Sequence, residues 1–531
     1  MMAANNFRQA EIQTTEKESG EKPDEHWQAG SENTVTSQDE VNEKAPDPDG
    51  VVNERLDDPT LPQNWPVQKK FFNMAVPSVL CLVIALGASI CTPAVPDIIL
   101  GFGVSETIAL IPLTTYTLGF ALAPMLSAPI SEIFGRMGAY KITPPLVALF
   151  SLGAGFSPNI SALCILRFFA GFFGGASLPV VGGTAADLFH AKDRAVSVTF
   201  VMYTAFLGTA LGPLIGGFIT QRHHQFATID GWKWSQWALA IMMIASWIPV
   251  FLLDETYLKV ILARRKKKHE KQNSLPDMPK PPASQLLLRV IFITLLRPTK
   301  MLMTEPIVAL TSLYAAFTFA VIFTFFASVP YVYTLVYDFD RGNTGLVFLG
   351  VCIGCTLGVP TMILLDKHFY QKAWYKIESE GRTGVVAPER RLLAAMIGGF
   401  GLPIGLFWFG WSAREDVHWI VPIIATIPCA WGNLCIFTSI LLYLTDTYEA
   451  LTAASAMAAT GLLRYIFGGT FPLFITYMYN HLGIGWASSL LAFLSIILIP
   501  IPWILYRWGP RIRAASKLET IRVVGGDMEE A

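Results

Sequence analysis

Residues 208–217 of this 531-residue chain read GTALGPLIGG and lie inside a long apolar run. Glycines four residues apart on a helix let two helix backbones come into van der Waals contact. A proline removes one backbone hydrogen bond and bends the helix. We interpret the segment as a helix in a tight, moving interface; the alternative is an ordinary packing seam of small residues. The residues that carry this interpretation are Gly208, Gly212, Pro213, Gly216 and Gly217.

The composition places the chain in a lipid bilayer. It is 53% hydrophobic and 15% charged, with a mean hydropathy of +0.45, which is too apolar for a soluble protein of this size. A helix needs about 20 apolar residues to cross the hydrocarbon core. Continuous apolar runs exclude the alternating pattern of a membrane barrel. Twelve segments qualify, near 71–93, 107–128, 139–157, 160–184, 196–219, 234–253, 306–330, 344–365, 392–412, 419–444, 450–478 and 483–506.

The twelve segments divide six and six around a basic loop. We therefore predict an all-α polytopic membrane protein with two six-helix bundles, residues 67–253 and 303–506, the layout of transporters built from two repeats. The loop between them is residues 254–302. Residues 1–66 are polar and acidic and are predicted to form a disordered tail, and residues 507–531 form a second tail.

Lysine and arginine in short loops set the orientation of a membrane protein. One set of loops carries Arg136, Lys141, Lys192, Arg194 and the basic residues of 259–300 and 367–391. The opposite set has little beyond Arg222, Lys233, Arg341 and Arg414. Both termini are therefore predicted to be cytoplasmic. The membrane is expected to be the plasma membrane, with the vacuolar membrane as the alternative.

The sequence offers no sign of catalysis or of a bound cofactor. All seven cysteines fall inside predicted spans, where cysteine behaves as a small apolar residue. No Walker lysine motif, zinc-ligand cluster or nucleophile–base pair is evident. We expect neither an enzyme nor an ATP-driven pump, and no metal, cofactor or nucleic-acid partner.

Two arginines fall inside apolar spans, Arg167 and Arg464. A charge there costs about 2.5 to 3.5 kcal/mol, so such residues are functional candidates. For Arg167 we favour electrostatic control of a proton-accepting carboxyl in proton coupling; the alternative is that it caps backbone carbonyls between helices. No acid lies plainly within a span; Asp97, near the outer mouth, is the carboxyl named for proton coupling, although a solvated loop position is favoured for it.

A charge network is predicted at the cytoplasmic mouth. Glu132 and Arg136 stand four residues apart around Gly135, and Asp187 closes the fourth span. Asp366 follows the eighth span in the corresponding position of the second half. Such a network can hold one conformation of a two-state machine and break in the other.

Aromatic side chains are dense in the second half. Tyr314, Phe317 and Tyr443, together with Arg464, are predicted to line a central cavity. Apolar and cation–π contacts in such a cavity suit hydrophobic or cationic compounds.

Several motifs resemble those of the major facilitator superfamily, and specifically its twelve-span drug:proton antiporters of fungi. The first-span motif of that branch is similar to Leu86-Gly87 with Pro93 and Pro96. The family's loop motif is similar to residues 128–136 (APISEIFGR), and its fourth-helix motif is similar to Arg167 with Gly171. Residues 208–217 are similar to the antiporter motif. The resemblance covers roughly residues 56–517.

The resemblance implies proton-driven efflux of a small organic molecule by alternating access in a monomer. Ala128 and Met137 depart from the family's loop motif, which leaves weaker locking or substitution by Lys141 as alternatives. Drugs, polyamines or a secondary metabolite are the implied substrates. A proton-coupled importer on the same fold is the first alternative. A signalling receptor that acts through the basic loop and tails is the second.

Overall fold

A computed structural model describes residues 61–189, 193–225, 231–264, 296–380, 386–516 and 518. In these ranges the regular structure is helical, and the helices form the two predicted six-span halves. The predicted tail of residues 1–60 and most of the basic loop lie outside the described residues.

The first half contains six spans. They are span 1 (Val67–Ser89, continued by Val95–Phe102), span 2 (Glu106–Phe134), span 3 (Arg136–Gly155), span 4 (Ile160–Gly175 and Ser177–Leu188), span 5 (Arg194–Gln225) and span 6 (Gly231–Trp247). The span 5 helix continues through Pro213. Helical segments at residues 258–264 and 296–304 follow on the way to the second half.

The second half repeats this layout. It contains span 7 (Pro306–Leu335), span 8 (Arg341–Leu346 and Leu349–Leu365), span 9 (Leu393–Gly398 and Gly401–Ser412), span 10 (Ile420–Thr447), and the helix Ala450–Leu498, which Gly483 divides into spans 11 and 12. Helix Pro500–Ala514 extends span 12. Ten stretches of the described chain are long and apolar enough to cross a membrane; one of them, Thr452–Ala514, holds spans 11 and 12, and span 3 is not among them.

Both predicted tails are shorter than expected where they meet the bundles. Pro62–Asn64 forms a 3-10 turn, and Trp65 is buried against the core rather than disordered. At the other end, helix Pro500–Ala514 runs past residue 507, and Arg513 is buried in an ion pair. Polar composition predicted the tails, whereas apolar and ionic contacts of single side chains order these ends.

Two glycines make the tight corners. Gly135 has a φ of +92°, which lets span 2 end and span 3 begin at a single residue. Gly483 has a φ of +75° at the corner between spans 11 and 12. On the outside of the bundles, large apolar side chains such as Leu149, Ile241 and Ile497 are more than half exposed, as lipid-facing residues are.

The two bundles meet along two pairs of spans. Span 2 packs against span 11, and span 5 packs against span 8. Thr114 donates a buried hydrogen bond to the carbonyl of Gly469 at 2.7 Å, which joins the first of these pairs.

Candidate transport pathway

Arg167 ties span 4 to its neighbours inside the first bundle. Its side chain is fully buried. The guanidinium donates to the carbonyls of Ala88 and Pro112, both at 3.3 Å, and to Gln236 Oε1 at 3.1 Å. It also lies 4.5 Å from the ring of Tyr116. These partners come from spans 1, 2 and 6 and are all neutral, which is the carbonyl-capping arrangement that the sequence left as the alternative.

Asp97 lies in a different ion pair. Its Oδ1 is 2.7 Å from Arg341 Nη1, and Asp97 is only 2% exposed. The sequence favoured a solvated position for this acid, and that expectation is wrong. Asp97 lies in the Val95–Phe102 continuation of span 1 and Arg341 opens span 8, so the pair crosses from one bundle to the other at the predicted outer face.

A cavity of about 230 Å³ opens beside this pair. Both bundles line it, with Pro93 and Glu106 on one side and Tyr331, Arg341 and Phe348 on the other.

Two more hydrogen bonds between the bundles lie near the outer cavity. Gln221 Nε2 donates to Asp340 Oδ2 at 2.8 Å, and Thr476 Oγ1 donates to Glu106 Oε1 at 3.1 Å. The outer mouth is thus held by polar contacts that can break and re-form.

At the predicted cytoplasmic face, Arg136 is the centre of the expected network. Its Nε lies 3.0 Å from Asp187 Oδ2, and its Nη1 donates to Ser131 Oγ at 2.9 Å. Gly135 is needed beside it, because a Cβ there would overlap the carboxylate of Glu255. The side chain of Glu132 lies outside the description, so its part in the network stays a prediction.

Glu255 takes a role that the sequence did not reveal. Its carboxylate accepts hydrogen bonds from the backbone N–H groups of Arg136 at 2.9 Å and of Met137 at 3.3 Å. A carboxylate at a helix N-terminus satisfies donors that have no partner within the helix and is stabilised by the helix dipole. Glu255 therefore clamps the first turn of span 3 from beyond span 6.

The second half carries a matching network. Arg391, just before span 9, bonds to the carboxylate of Asp366 and donates from Nε to Asp446 Oδ2 at 2.8 Å. Gln371 donates to Asp366 at 3.0 Å. In each half an arginine at the start of the third helix holds an acid at the end of the fourth, so this ion pair is repeated in the two halves. Asp366 is part of the network of the second half, and its role in gating stays a prediction.

The glycines of residues 208–217 form a seam between spans 5 and 1. A Cβ at Gly208 would overlap the carbonyl oxygen of Leu82, and one at Gly216 would overlap that of Ile90. Ser89 Oγ donates to the carbonyl of Thr209 at 2.6 Å along the same seam.

The seam reaches the other bundle at its outer end. A Cβ at Gly212 would lie 2.9 Å from the carbonyl oxygen of Leu86, again on span 1. A Cβ at Gly217, however, would lie 2.6 Å from the backbone oxygen of Arg341 on span 8. The Pro213 carbonyl approaches Gly345 on the same span.

The residues that were predicted to line a central cavity lie at different places in the second bundle. Tyr314 is buried, and its hydroxyl faces Gly399 between the two helical segments of span 9, inside the second bundle. Tyr443 is fully buried, and Phe317 packs on Phe471, with ring centroids 6.3 Å apart. Arg464 is instead partly exposed and lies against the rings of three aromatic side chains.

A family model described as Major Facilitator Superfamily matches residues 78–472. The chain belongs to the major facilitator superfamily. Polyamine transporter 4 of Saccharomyces cerevisiae is 37% identical over 487 residues, which are 87% of this chain and 72% of that protein. Efflux pump FUBT of Fusarium oxysporum is 35% identical over 468 residues, 87% of this chain and 76% of that protein. A crystal structure of a D-xylose-proton symporter shares the fold, with a TM-score of 0.59 at 17% identity, and covers 82% of this chain and 97% of that one.

This superfamily member is a multi-pass membrane transporter of small organic molecules, not an enzyme. Relatives that are efflux pumps favour export over the import alternative. The predicted family and all-helical fold are confirmed.

Sequence reasoning missed the partners in several of these ion pairs. In the sequence, Arg341 and Arg391 indicate only the orientation of their loops, and Asp446 carries no predicted role. A signal for the last two was present, because the second half repeats the order of helices and the first half has Arg136 and Asp187 in the same places. Arg341 offered no such signal, since its partner comes from the other bundle.

Proposed function

We propose that this transporter exports small organic molecules in exchange for protons, by exposing a central site alternately to the two sides of the membrane. The proton acceptor is Asp97, the residue that links the bundles at the outer mouth. The observation that carries this assignment is the buried Asp97–Arg341 pair beside the outer cavity. The efflux relatives support the direction of transport.

Protonation of Asp97 changes the balance between open and closed outer mouths. A carboxylate attracts the Arg341 guanidinium across the bundle interface, and a neutral carboxyl does not. A proton from the outer side therefore weakens the contact, the outer mouth opens and substrate leaves. Release of that proton to the cytoplasmic side restores the ion pair and closes the outer mouth, so a proton moves inward as substrate moves outward.

Arg167 acts as a positioning residue in this scheme. It holds the carbonyl of Ala88 and the sulfur of Cys91, at the end of the helix that leads to Asp97. Its role in proton coupling is thus exerted through the placement of span 1.

The test is proton movement in proteoliposomes that carry a proton gradient. Internal pH is followed while hydrophobic cations, polyamines, neutral drugs and organic acids are added one by one. The native protein is expected to dissipate the gradient with at least one compound. Asp97→Asn should exchange labelled substrate across the membrane without moving protons.

Glu106→Gln is the matched control, because Glu106 lines the same cavity but accepts a hydrogen bond from neutral Thr476. It should keep the coupling. Unchanged proton movement in Asp97→Asn would remove Asp97 from the scheme, and transport without any proton movement in the native protein would replace antiport by facilitated diffusion.

The cellular setting is part of the proposal, with the transporter a monomer in the plasma membrane. Both termini are proposed to be cytoplasmic, because lysine and arginine concentrate in the set of loops to which Arg136 belongs. Fluorescent fusions and protease protection of the tagged termini test this placement. Vacuolar fluorescence would move the proposal to that membrane.

A further inference from the structure

Arg464 lies in an aromatic cage in span 11. Its guanidinium carbon is 4.2 Å from the ring centroids of Phe437 and Tyr465 and 5.0 Å from that of Phe319. Among the described residues the Nε atom has no hydrogen-bond partner, and the side chain with which the guanidinium does hydrogen-bond, Tyr465, is neutral. No carboxylate oxygen of the described residues forms an ion pair with Arg464 within 4.0 Å.

Other arginines in the described parts of the bundles have an acidic partner or, for Arg167, several neutral acceptors. Arg136 pairs with Asp187, Arg194 with Asp446, Arg341 with Asp97, Arg391 with Asp366 and Asp446, Arg513 with Glu389, and Arg167 binds carbonyl groups and Gln236. The guanidinium of Arg464 instead lies against the faces of aromatic rings, and its side chain is partly exposed. Its environment is that of a binding group rather than of a structural ion pair.

The cage lies where the two bundles face each other. Phe206 of span 5 packs against Phe437 and Phe319, with ring centroids 5.7 Å and 6.3 Å apart. Phe120 of span 2 packs against Tyr465 at 5.5 Å. Side chains of both bundles therefore surround the cation, and a substrate that is to be passed from one side to the other must contact both bundles.

The energetics of this cation point to an anionic ligand. The ring faces attract the guanidinium but do not neutralise its charge, and an unpaired charge within the membrane is costly. A bound anion would supply the missing partner and would be held by paired N–H donors of the guanidinium. A polyamine would be repelled by the same group.

We propose that Arg464 binds the negative charge of the substrate and that the transported class is organic acids with an aromatic or otherwise apolar body. The carboxylate pairs with the guanidinium, and the apolar body packs on the rings of the cage. This inference rests on the proposed function, because it names the substrate of the same pathway.

The test uses three probes with one ring system and different charge: 1-naphthoate, 1-naphthylmethylamine and 1-naphthalenemethanol. Binding to the purified full chain in detergent is measured by calorimetry at neutral pH. We expect the Kd of the acid to be about ten-fold lower than those of the amine and the alcohol. Arg464→Gln should lose this preference, and Arg464→Lys should keep most of it.

Arg414→Gln is the control, since Arg414 is exposed and pairs with Asp416 in a loop. It should bind the acid as the native protein does. Equal or tighter binding of the amine by the native protein, binding of none of the three probes, or an unchanged preference in Arg464→Gln would each overturn the assignment.

The binding assay needs no gradient and no direction of transport. If the acid is preferred but no proton moves in proteoliposomes, the substrate class stands and proton exchange fails. If protons move with cations and the acid shows no preference, proton exchange stands and the substrate class fails.

Discussion

Asp446 Oδ1 lies 3.8 Å from Arg194 Nη1, and this ion pair joins span 10 to span 5 across the bundle interface. Asp446 also accepts a hydrogen bond from Arg391, in its own bundle, at 2.8 Å. The Arg391 side chain is 1% exposed and that of Arg194 is 23% exposed. The bond within the bundle is therefore the permanent one, and the bond between bundles is the one that can open.

Loss of the Arg194 contact should loosen the predicted cytoplasmic mouth. Arg194→Gln removes the link between the bundles and leaves Asp446 bonded to Arg391. We expect a larger population with separated cytoplasmic ends, measured as longer distances between spin labels at Val196 and Leu364, two exposed sites on spans 5 and 8. The labels are placed in a background without other reactive cysteines.

Lys69→Gln is the control for this experiment. It breaks a 2.7 Å ion pair with Asp254 that is exposed and lies within the first half. The distance distribution should stay that of the native protein. The same distribution in Arg194→Gln as in Lys69→Gln would mean that the cross-bundle pair does not hold the mouth.

The Glu255 clamp should contribute to the stability of the first bundle. Glu255→Ala leaves the N–H groups of Arg136 and Met137 without this acceptor, and loss of a helix cap costs about 1 kcal/mol. We expect a lower Tm in detergent and slower transport. Asp254→Ala, at the neighbouring exposed acid, should change the Tm much less; an equal loss in both variants would argue against a capping role.

The sequence predicted the fold well because the bilayer imposes one simple requirement, an apolar helix long enough to cross it. Small residues on span 5 likewise predicted a tight seam, since glycine spacing determines how closely backbones approach. Side-chain pairing was harder. Glu132 stands four residues before Arg136 and stays a predicted member of the network. The clamp on Arg136 is Glu255, 119 residues away along the chain, which residue spacing could not predict.

Asp97 is a second residue whose partner the sequence did not predict. Its helix end predicted a solvated acid, and only the approach of the second bundle brings Arg341 against it. Local patterns carry no information about contacts between bundles. Such contacts are the ones that change during transport.

The glycine seam should tolerate no added methyl group. In Gly208→Ala the new Cβ would overlap the Leu82 carbonyl, which is backbone and cannot rotate away. We expect spans 1 and 5 to be pushed apart, with a lower Tm and transport reduced at least several-fold. Gly182→Ala is the matched control, because a Cβ there meets no atom within 4 Å. Native transport activity in Gly208→Ala would show that spans 1 and 5 do not pack as closely as this contact requires.

Substitutions of Arg167 can distinguish a role of its charge from a role of its hydrogen-bond geometry. If the charge alone controlled a nearby carboxyl, Arg167→Lys would preserve proton-coupled transport. Lysine, however, is a compact ammonium on a flexible stem and cannot reach Ala88, Pro112 and Gln236 together as the guanidinium fork does. Unpaired buried acceptors cost about 1 to 3 kcal/mol each.

We therefore expect Arg167→Lys to be nearly as impaired as Arg167→Ala in substrate-driven proton movement, with both proteins still reaching the cell surface and both showing a lower Tm. Gln236→Leu, which removes one acceptor and keeps the charge, should show a smaller drop in Tm. Full proton-coupled transport by Arg167→Lys would contradict the positioning role. It would return Arg167 to direct electrostatic control of a carboxyl.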